Sequence, residues 1–390
     1  MTGHLGDWAN LLIRWIHLIA GIGWIGTSFY FIWLDRALRV EGELWMVHSG
    51  GFYKVEKRRI GPGELPAVLH WFKWEALLTW VSGMALLVLV FYVSGAYLLD
   101  PSVSRIGRGA ATALGVGLLI VGWLVYDVLW RSRLADRSGI TTAISLVLLA
   151  AATVVLCRVL SGRAAYMHVG ALLGTVMVAN VWLRVLPAQR EMIAATAAGR
   201  SPDLTLGDRA KRRSVHNSYM TFPVLFIMLS NHYPATYASP INWLILLLLI
   251  VAGAAARHVM IADTRSARWA LAPAALALGA VVMLSAPPAA RPATAGRAPR
   301  FADVRAVIDR RCLPCHSAYP TDSGVGRGAP GAPPPAGVAF DTPESIARLA
   351  ERIRVRAVET RTMPLANKTG MTPEERELLG RWVAAGAPLR

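Results

Sequence analysis

Eight apolar stretches of about 18 residues or more dominate the chain and restrict what it can become. They run approximately from residues 8 to 34, 71 to 98, 109 to 130, 140 to 157, 166 to 186, 215 to 231, 241 to 261 and 269 to 286. In lipid every backbone N–H and C=O must be satisfied inside the protein, so runs of this length predict spanning helices. Residues 1–286 therefore predict an eight-helix transmembrane bundle. Composition agrees: 390 residues with 54% hydrophobic side chains and mean hydropathy +0.42 are too long for one soluble domain and too apolar for two. The first stretch lacks a basic leader and a small-residue cleavage site, and continues through GIGWIGTSFYFIWL. It predicts a retained anchor, not a cleaved signal peptide.

Orientation follows from the Lys and Arg in the connections, since short cytoplasmic loops carry the excess. With the N-terminus outside, the inner loops hold seventeen such residues, among them Arg36 to Arg59 and Arg190 to Arg213, against four in the outer connections, Arg105, Arg108, Arg158 and Arg163. Both termini are thus expected outside. The net charge of +17 is largely this loop bias. With no nucleic-acid motif present, it does not indicate a nucleic-acid partner.

After Ser285 the character changes to APPAARPATAGRAPR, so residues 287–300 read as a Pro/Ala/Arg linker and 301–390 as a separate small unit. This unit carries RRCLPCHSAYP, in which Cys312, Cys315 and His316 have the C-x-x-C-H spacing. Two thiols so spaced can add to the vinyl groups of one haem while the adjacent imidazole reaches its iron. A bare C-x-x-C also suits half a zinc site or a dithiol redox pair, but zinc needs two further ligands at short spacing and none follows. Cys157 lies in an apolar run and reads as an inert packed thiol, so no disulfide framework is expected. Covalent haem attachment belongs to the oxidising outer face of a bacterial inner membrane, where the charge count independently places this unit. FADVRAVIDRRC and DTPESIARLAERIRVRAVET read as amphipathic helices separated by the Gly/Pro loop SGVGRGAPGAPPPAG, and Thr372, Pro373 and Glu375 form a helix start running to Ala385. The expected fold is all-α: the bundle, then a small class I-like cytochrome c domain. Met363, on a loop before a proline, is the expected second axial ligand, with Met371 as the alternative.

Ionisable residues within the spans are costly in lipid, so each is a candidate functional group. Arg14, His17, His168, Asn231 and His232 form an outer layer, on the side of the haem unit. An inner layer holds His70, Lys73, Glu75, Asp127, Arg184, His216, Asn217, Arg257 and His258; interfacial snorkelling or interhelix pairing is the simpler role for Lys73, Arg184 and Arg257. Arg14 and His17 share a helix face.

Several strings resemble the bacterial membrane-bound, cytochrome c-linked urate oxidases, or urate hydroxylases. These are RWIHLIAGIGWIGTSFYFIWLD, LHWFKWEALLTWVSG, HVGALLGTVMVANV, RRSVHNSYMTFPVLFIMLSNHYPATY and the tail TMPLANKTGMTPEERELLGRW. The Gly/Pro stretch after Pro320 is longer than that family needs. The resemblance implies oxidation of urate to 5-hydroxyisourate in purine degradation, with electrons leaving through the c haem to a soluble cytochrome c or another respiratory acceptor, not directly to oxygen. Urate is an oxidisable anion, and an outer-layer pocket of Arg14, the histidines and amides could bind it and take its protons. Two electrons leave urate and one haem takes one, so either sequential turnovers or a second redox site is required; His17 and His168 could hold a non-covalent b haem. A non-catalytic quinol-to-cytochrome relay and a transporter with a fused cytochrome are the competing classes.

Overall fold

The computed structural model describes residues 2–38, 42–57, 65, 68–93, 97–262, 264–286, 299–322 and 334–390. Among them seven helices are long and apolar enough to cross a membrane. The N-terminal half comprises α1 (Thr2–Leu38), α2 (Trp74–Leu87), α3 (Arg108–Leu129), α4 (Ser138–Val159), α5 (Gly162–Asn180) and α6 (Leu186–Ala197). Next come α7 (Leu204–Ser230), the short α8 (Pro234–Tyr237), α9 (Asn242–Ala262) and α10 (Leu271–Leu284). The sequence stretch 215 to 231 is the apolar part of α7, whose first turns carry Arg209, Lys211, Arg212 and Arg213; α7 is not one of the seven.

The chain is not purely α. Between α1 and α2, strands β1 (Gly42–His48) and β2 (Gly51–Lys57) pair antiparallel. Ser49 and Gly50 at the turn both have positive φ, 51° and 78°, the two-residue geometry that matches strand twist. The strands GELWMVH and GFYKVEK supply the aromatic and β-branched residues that such a ribbon favours. This corrects the all-α expectation.

The core centres on α5, where Tyr166, Val169, Leu172, Leu173 and Val176 are buried against α3, α4 and α7. Small residues permit this closeness. A Cβ at Gly170 would lie 2.7 Å from Ile227 of α7, and one at Gly253 of α9 would lie 3.1 Å from both Phe222 and Pro223. Tyr166 donates to the carbonyls of Thr236 and Asn242, at 2.9 and 2.7 Å, pinning α5 to the α8 turn and α9. Between α5 and α6 the chain takes a π turn, Val181–Val185. Pro187 explains it, because its ring and missing N–H cannot accept an ordinary α turn against the carbonyl four residues earlier.

A second hydrophobic cluster gathers Val304, Val307 and Ile308 of α11 (Phe301–Arg311) with Ile346, Ile353, Leu379 and Trp382. The expected second helix appears as α12 (Pro343–Arg348) and α13 (Ala350–Ile353), followed by a π turn Arg354–Glu359. The last helix, α14 (Pro373–Ala384), starts with the expected capping box: Thr372 Oγ1 accepts from Glu375 N, and Glu375 accepts from Thr372 N at 2.9 Å. Arg311 grips Glu375 from α11 at 2.9 to 3.1 Å, tying the two helices. Most of the linker, residues 287–298, and the Gly/Pro segment 323–333 lie outside the described residues.

Candidate functional site

The outer-layer residues fall into separate sets. His17 of α1 leans on α2, its Nδ1 2.9 Å from the carbonyl of Thr79 and 3.0 Å from Ser82 Oγ. A carbonyl can only accept, so Nδ1 carries the proton and Nε2 keeps its lone pair. Gly83 makes room, since a Cβ there would sit 3.0 Å from the ring. His168 is completely buried. Its Nδ1 donates to Ala164 O at 2.7 Å, so its Nε2 accepts from the Tyr92 hydroxyl at 2.8 Å. Gly115 of α3 admits this pair: a Cβ there would lie 2.6 Å from the hydroxyl and 2.7 Å from Nε2. The two imidazoles therefore do not offer two free nitrogens to one iron in this arrangement, and an iron at His168 would have to displace Tyr92.

Arg14 is exposed and donates to Asn10 on its own helix. Asn231 is held by Arg163, whose Nε donates to its Oδ1 at 2.7 Å and whose guanidinium stacks 4.5 Å above Tyr97. His232 is exposed. Arg163 escaped sequence reasoning because it was counted only as a loop charge.

The inner layer is more extensively wired. Asp127 of α3 is gripped side-on by Arg184, through Nε at 2.7 Å and through Nη2, and by Arg213 of α7 at 3.0 Å. Arg213 also reaches Asn180 Oδ1 and stacks on Tyr126; Tyr126 bonds His216 Nδ1 at 2.7 Å, and Asn180 donates to Asn217 at 2.9 Å. Pairing is thus the role of Arg184. Lys73 sits among three indoles, 5.9, 5.5 and 5.8 Å from the rings of Trp71, Trp74 and Trp182. Arg257 does not snorkel. It is fully buried, with Phe29 4.0 Å from its guanidinium carbon.

In the C-terminal unit, Cys312 caps α11 and Cys315 follows in the next turn, and neither is in a disulfide. The turn Cys312–His316 is closed by His316 N donating to Cys312 O at 2.8 Å. Residues 338–340 hold His316 at both ends: its Nδ1 donates to Val338 O at 3.0 Å, and its carbonyl accepts from Phe340 N at 2.8 Å. Nδ1 so engaged leaves Nε2 bare, the arrangement that orients an imidazole for a metal. Burial favours this neutral form by lowering the His316 pKa, and the same burial, with Cys315 beside it, pushes the Cys312 thiol up to about 12. Met371 is packed in the core, whereas Met363 is only half-buried on its loop, where Arg376 donates to its carbonyl at 2.7 Å. Cys157 is buried among the helices, as a packed thiol would be. The C-terminal unit lies within electrostatic reach of the outer connections, Arg356 acting on Tyr237 and Asp100 on Arg376.

Long apolar helices with charges and imidazoles buried between them define a polytopic helical protein whose bundle is built to do more than anchor. A family model described as urate oxidase N-terminal matches residues 3–286, and the chain belongs to that family. No curated protein and no solved structure gives a match. Membership points to an oxidoreductase acting on urate.

Proposed function

We propose that the protein is a urate hydroxylase of a bacterial inner membrane that passes its electrons to the respiratory chain. Urate and water give 5-hydroxyisourate, two electrons and two protons. The observation that carries the reading is the family match over the helical part joined, in one chain, to a C-x-x-C-H unit whose histidine is already oriented. Cys312 and Cys315 would attach a c haem, with His316 Nε2 and Met363 Sδ as its axial ligands. Bound there, the haem supplies one-electron redox chemistry at a raised potential. His316 is kept neutral and fixed by Val338, and Arg376 fixes the Met363 loop through its carbonyl. In the helices, His17 Nε2 is an imidazole lone pair able to take a proton; His168, Asn231, Arg14 and His232 complete the outer layer. The charge asymmetry of the loops supports a periplasmic haem unit and outside termini, and a soluble cytochrome c is the acceptor that such a unit suits.

The test is spectroscopic. Urate added anaerobically to the oxidised, purified protein should convert the haem spectrum to the reduced form, and soluble cytochrome c should then sustain turnover. Stoichiometric peroxide in air without haem reduction would refute electron exit through the haem, and no response to urate would refute the reading altogether.

A further inference from the structure

The most anomalous group in the molecule is Arg257. Its side chain is fully buried near the inner end of α9, yet among the described residues nothing accepts from Nε or Nη2. Its neighbours are apolar or soft: the Phe29 ring at 4.0 Å, Phe222 at 5.8 Å and the Met260 sulfur 3.7 Å from Nη1. An unpaired buried guanidinium is among the costliest things a fold can hold. The two vacant nitrogens are not arbitrary. Nε and Nη2 form one edge of the guanidinium, with two parallel N–H groups, and Arg184 uses this same edge to grip Asp127. Arg257 presents the same fork without a carboxylate in it.

Among the described residues two other buried polar atoms lack partners, Glu75 Oε2 and Trp182 Nε1. Glu75 is in the first turn of α2, Trp182 follows the end of α5, and Arg257 is in the last turns of α9. Since successive helices alternate in direction, all three belong to the same end of the bundle. This is the end away from the C-terminal unit. The outer-layer groups His17, His168 and Asn231 have partners. The complement missing at Arg257 is a buried anion with two adjacent acceptor atoms.

We infer that Arg257 is the anchor of an anion site at the inner end of the helices, its Nε–Nη2 edge holding the anionic O–C–N edge of an oxopurine. The assignment rests on the urate reading above and concerns where the anion is held, not the group that takes its electrons. It also relocates binding from the outer layer. Phe29 and Phe222 wall the guanidinium and keep water away, which strengthens a charge-assisted fork. A phosphate headgroup also presents two adjacent acceptors and is the competing occupant of the fork.

Full-length protein in detergent, pre-reduced with dithionite so that urate binds without turning over, separates these possibilities. In the wild type, urate should raise the thermal midpoint. Arg257→Met removes an unpaired buried charge, so the ligand-free midpoint should hold or rise while the urate shift disappears. In turnover the KM for urate should rise about 10²-fold, the loss expected for a charge-assisted fork, with kcat far less affected. Arg257→Lys, which keeps the charge but not the fork, should fall between and serves if the methionine variant does not accumulate. A lower ligand-free midpoint with the urate shift and KM retained would make Arg257 structural and overturn the assignment. A midpoint shift from phosphatidylglycerol micelles and none from urate, in protein whose haem urate still reduces, would give the fork to lipid and also overturn it. If urate neither shifts the wild type nor reduces its haem, the urate reading itself falls, and this site with it.

Discussion

Asp127→Asn tests whether the inner polar network stabilises the bundle through charge. Asp127 faces three arginines, but they are not equal. Arg131 is 3.8 Å away and 62% exposed, so its pair is worth about 0 to 1 kcal/mol. Arg184, 34% exposed, can swing its guanidinium toward water when its partner is lost. Arg213 cannot: it is 6% exposed, its remaining acceptors are Asn180 Oδ1 at 3.3 Å and the Asp127 carbonyl at 3.4 Å, and its ring neighbour Tyr126 does not neutralise it. Removing the carboxylate charge should therefore cost about 3 kcal/mol, the low end for breaking a buried pair, with nearly all of it arising at Arg213. The double variant Asp127→Asn with Arg213→Met should recover most of this, because the stranded charge is gone. Unfolding in mixed micelles, driven by the mole fraction of a denaturing detergent and followed by tryptophan fluorescence, gives the free energies of the wild type, Asp127→Asn, Arg213→Met and the double variant that make up the cycle. A single-variant cost under about 1 kcal/mol, or a double variant less stable than Asp127→Asn, would refute the electrostatic account.

The C-x-x-C-H unit makes a local prediction: if it carries the proposed c haem, Cys312→Ala with Cys315→Ala should abolish covalent haem staining on a denaturing gel while the helices still insert, and Met363→Ala should keep the stain but lower the reduction potential. An unchanged potential moves the axial role to Met371, whose own truncation should cost about 2 to 5 kcal/mol as a core residue. Gly115→Ala should destabilise by about 1 to 3 kcal/mol in the same micelle assay, since its Cβ would meet the Tyr92 and His168 pair; a neutral result would mean that pair is loosely held. Glu375 supplies the pH dependence. Burial alone would raise its carboxyl, but the Arg311 fork and the Thr372 N–H hold it below the usual range, so its contribution is present above the unfolded value and lost as pH falls through the folded one. Glu375→Gln should be the less stable protein at pH 7, with the gap closing toward pH 3; a pH-independent gap would show that shape and not charge matters there.

What the sequence disclosed depended on how local the cause was. Long apolar runs force helices in lipid, and C-x-x-C-H or a Thr-Pro-x-Glu start act within four residues, so these were legible. The hairpin 42–57 is legible in principle, with Ser49-Gly50 between two aromatic-rich alternating strands, but a charge count over the connection does not register that pattern. Arg163 and Arg213 were hidden for the same reason: a linear count cannot tell which arginine near a helix end turns inward. For Arg257 the sequence supports interfacial snorkelling or interhelix pairing, and neither is what the fold does with it. Its burial depends on α7 and α9 closing over it at Gly253, Phe222 and Pro223, a packing that no single helix encodes.

The distribution of satisfied and unsatisfied groups bears on how the protein would be organised as an electron-transferring enzyme. At the end nearest the C-terminal unit, the imidazoles and amides are already hydrogen-bonded to the helices, and Tyr97 and Asn231 are held by Arg163. At the other end, among the described residues, charged and polar atoms are buried without partners, and a network there gathers three arginines on one aspartate. A fold tolerates orphan buried donors only where something else completes them or where strain serves a purpose. An anion held at that end and a redox group in the C-terminal unit, as proposed above, would put substrate and electron acceptor at opposite ends of the same bundle. The polar residues between the two ends are then where a relay must be sought.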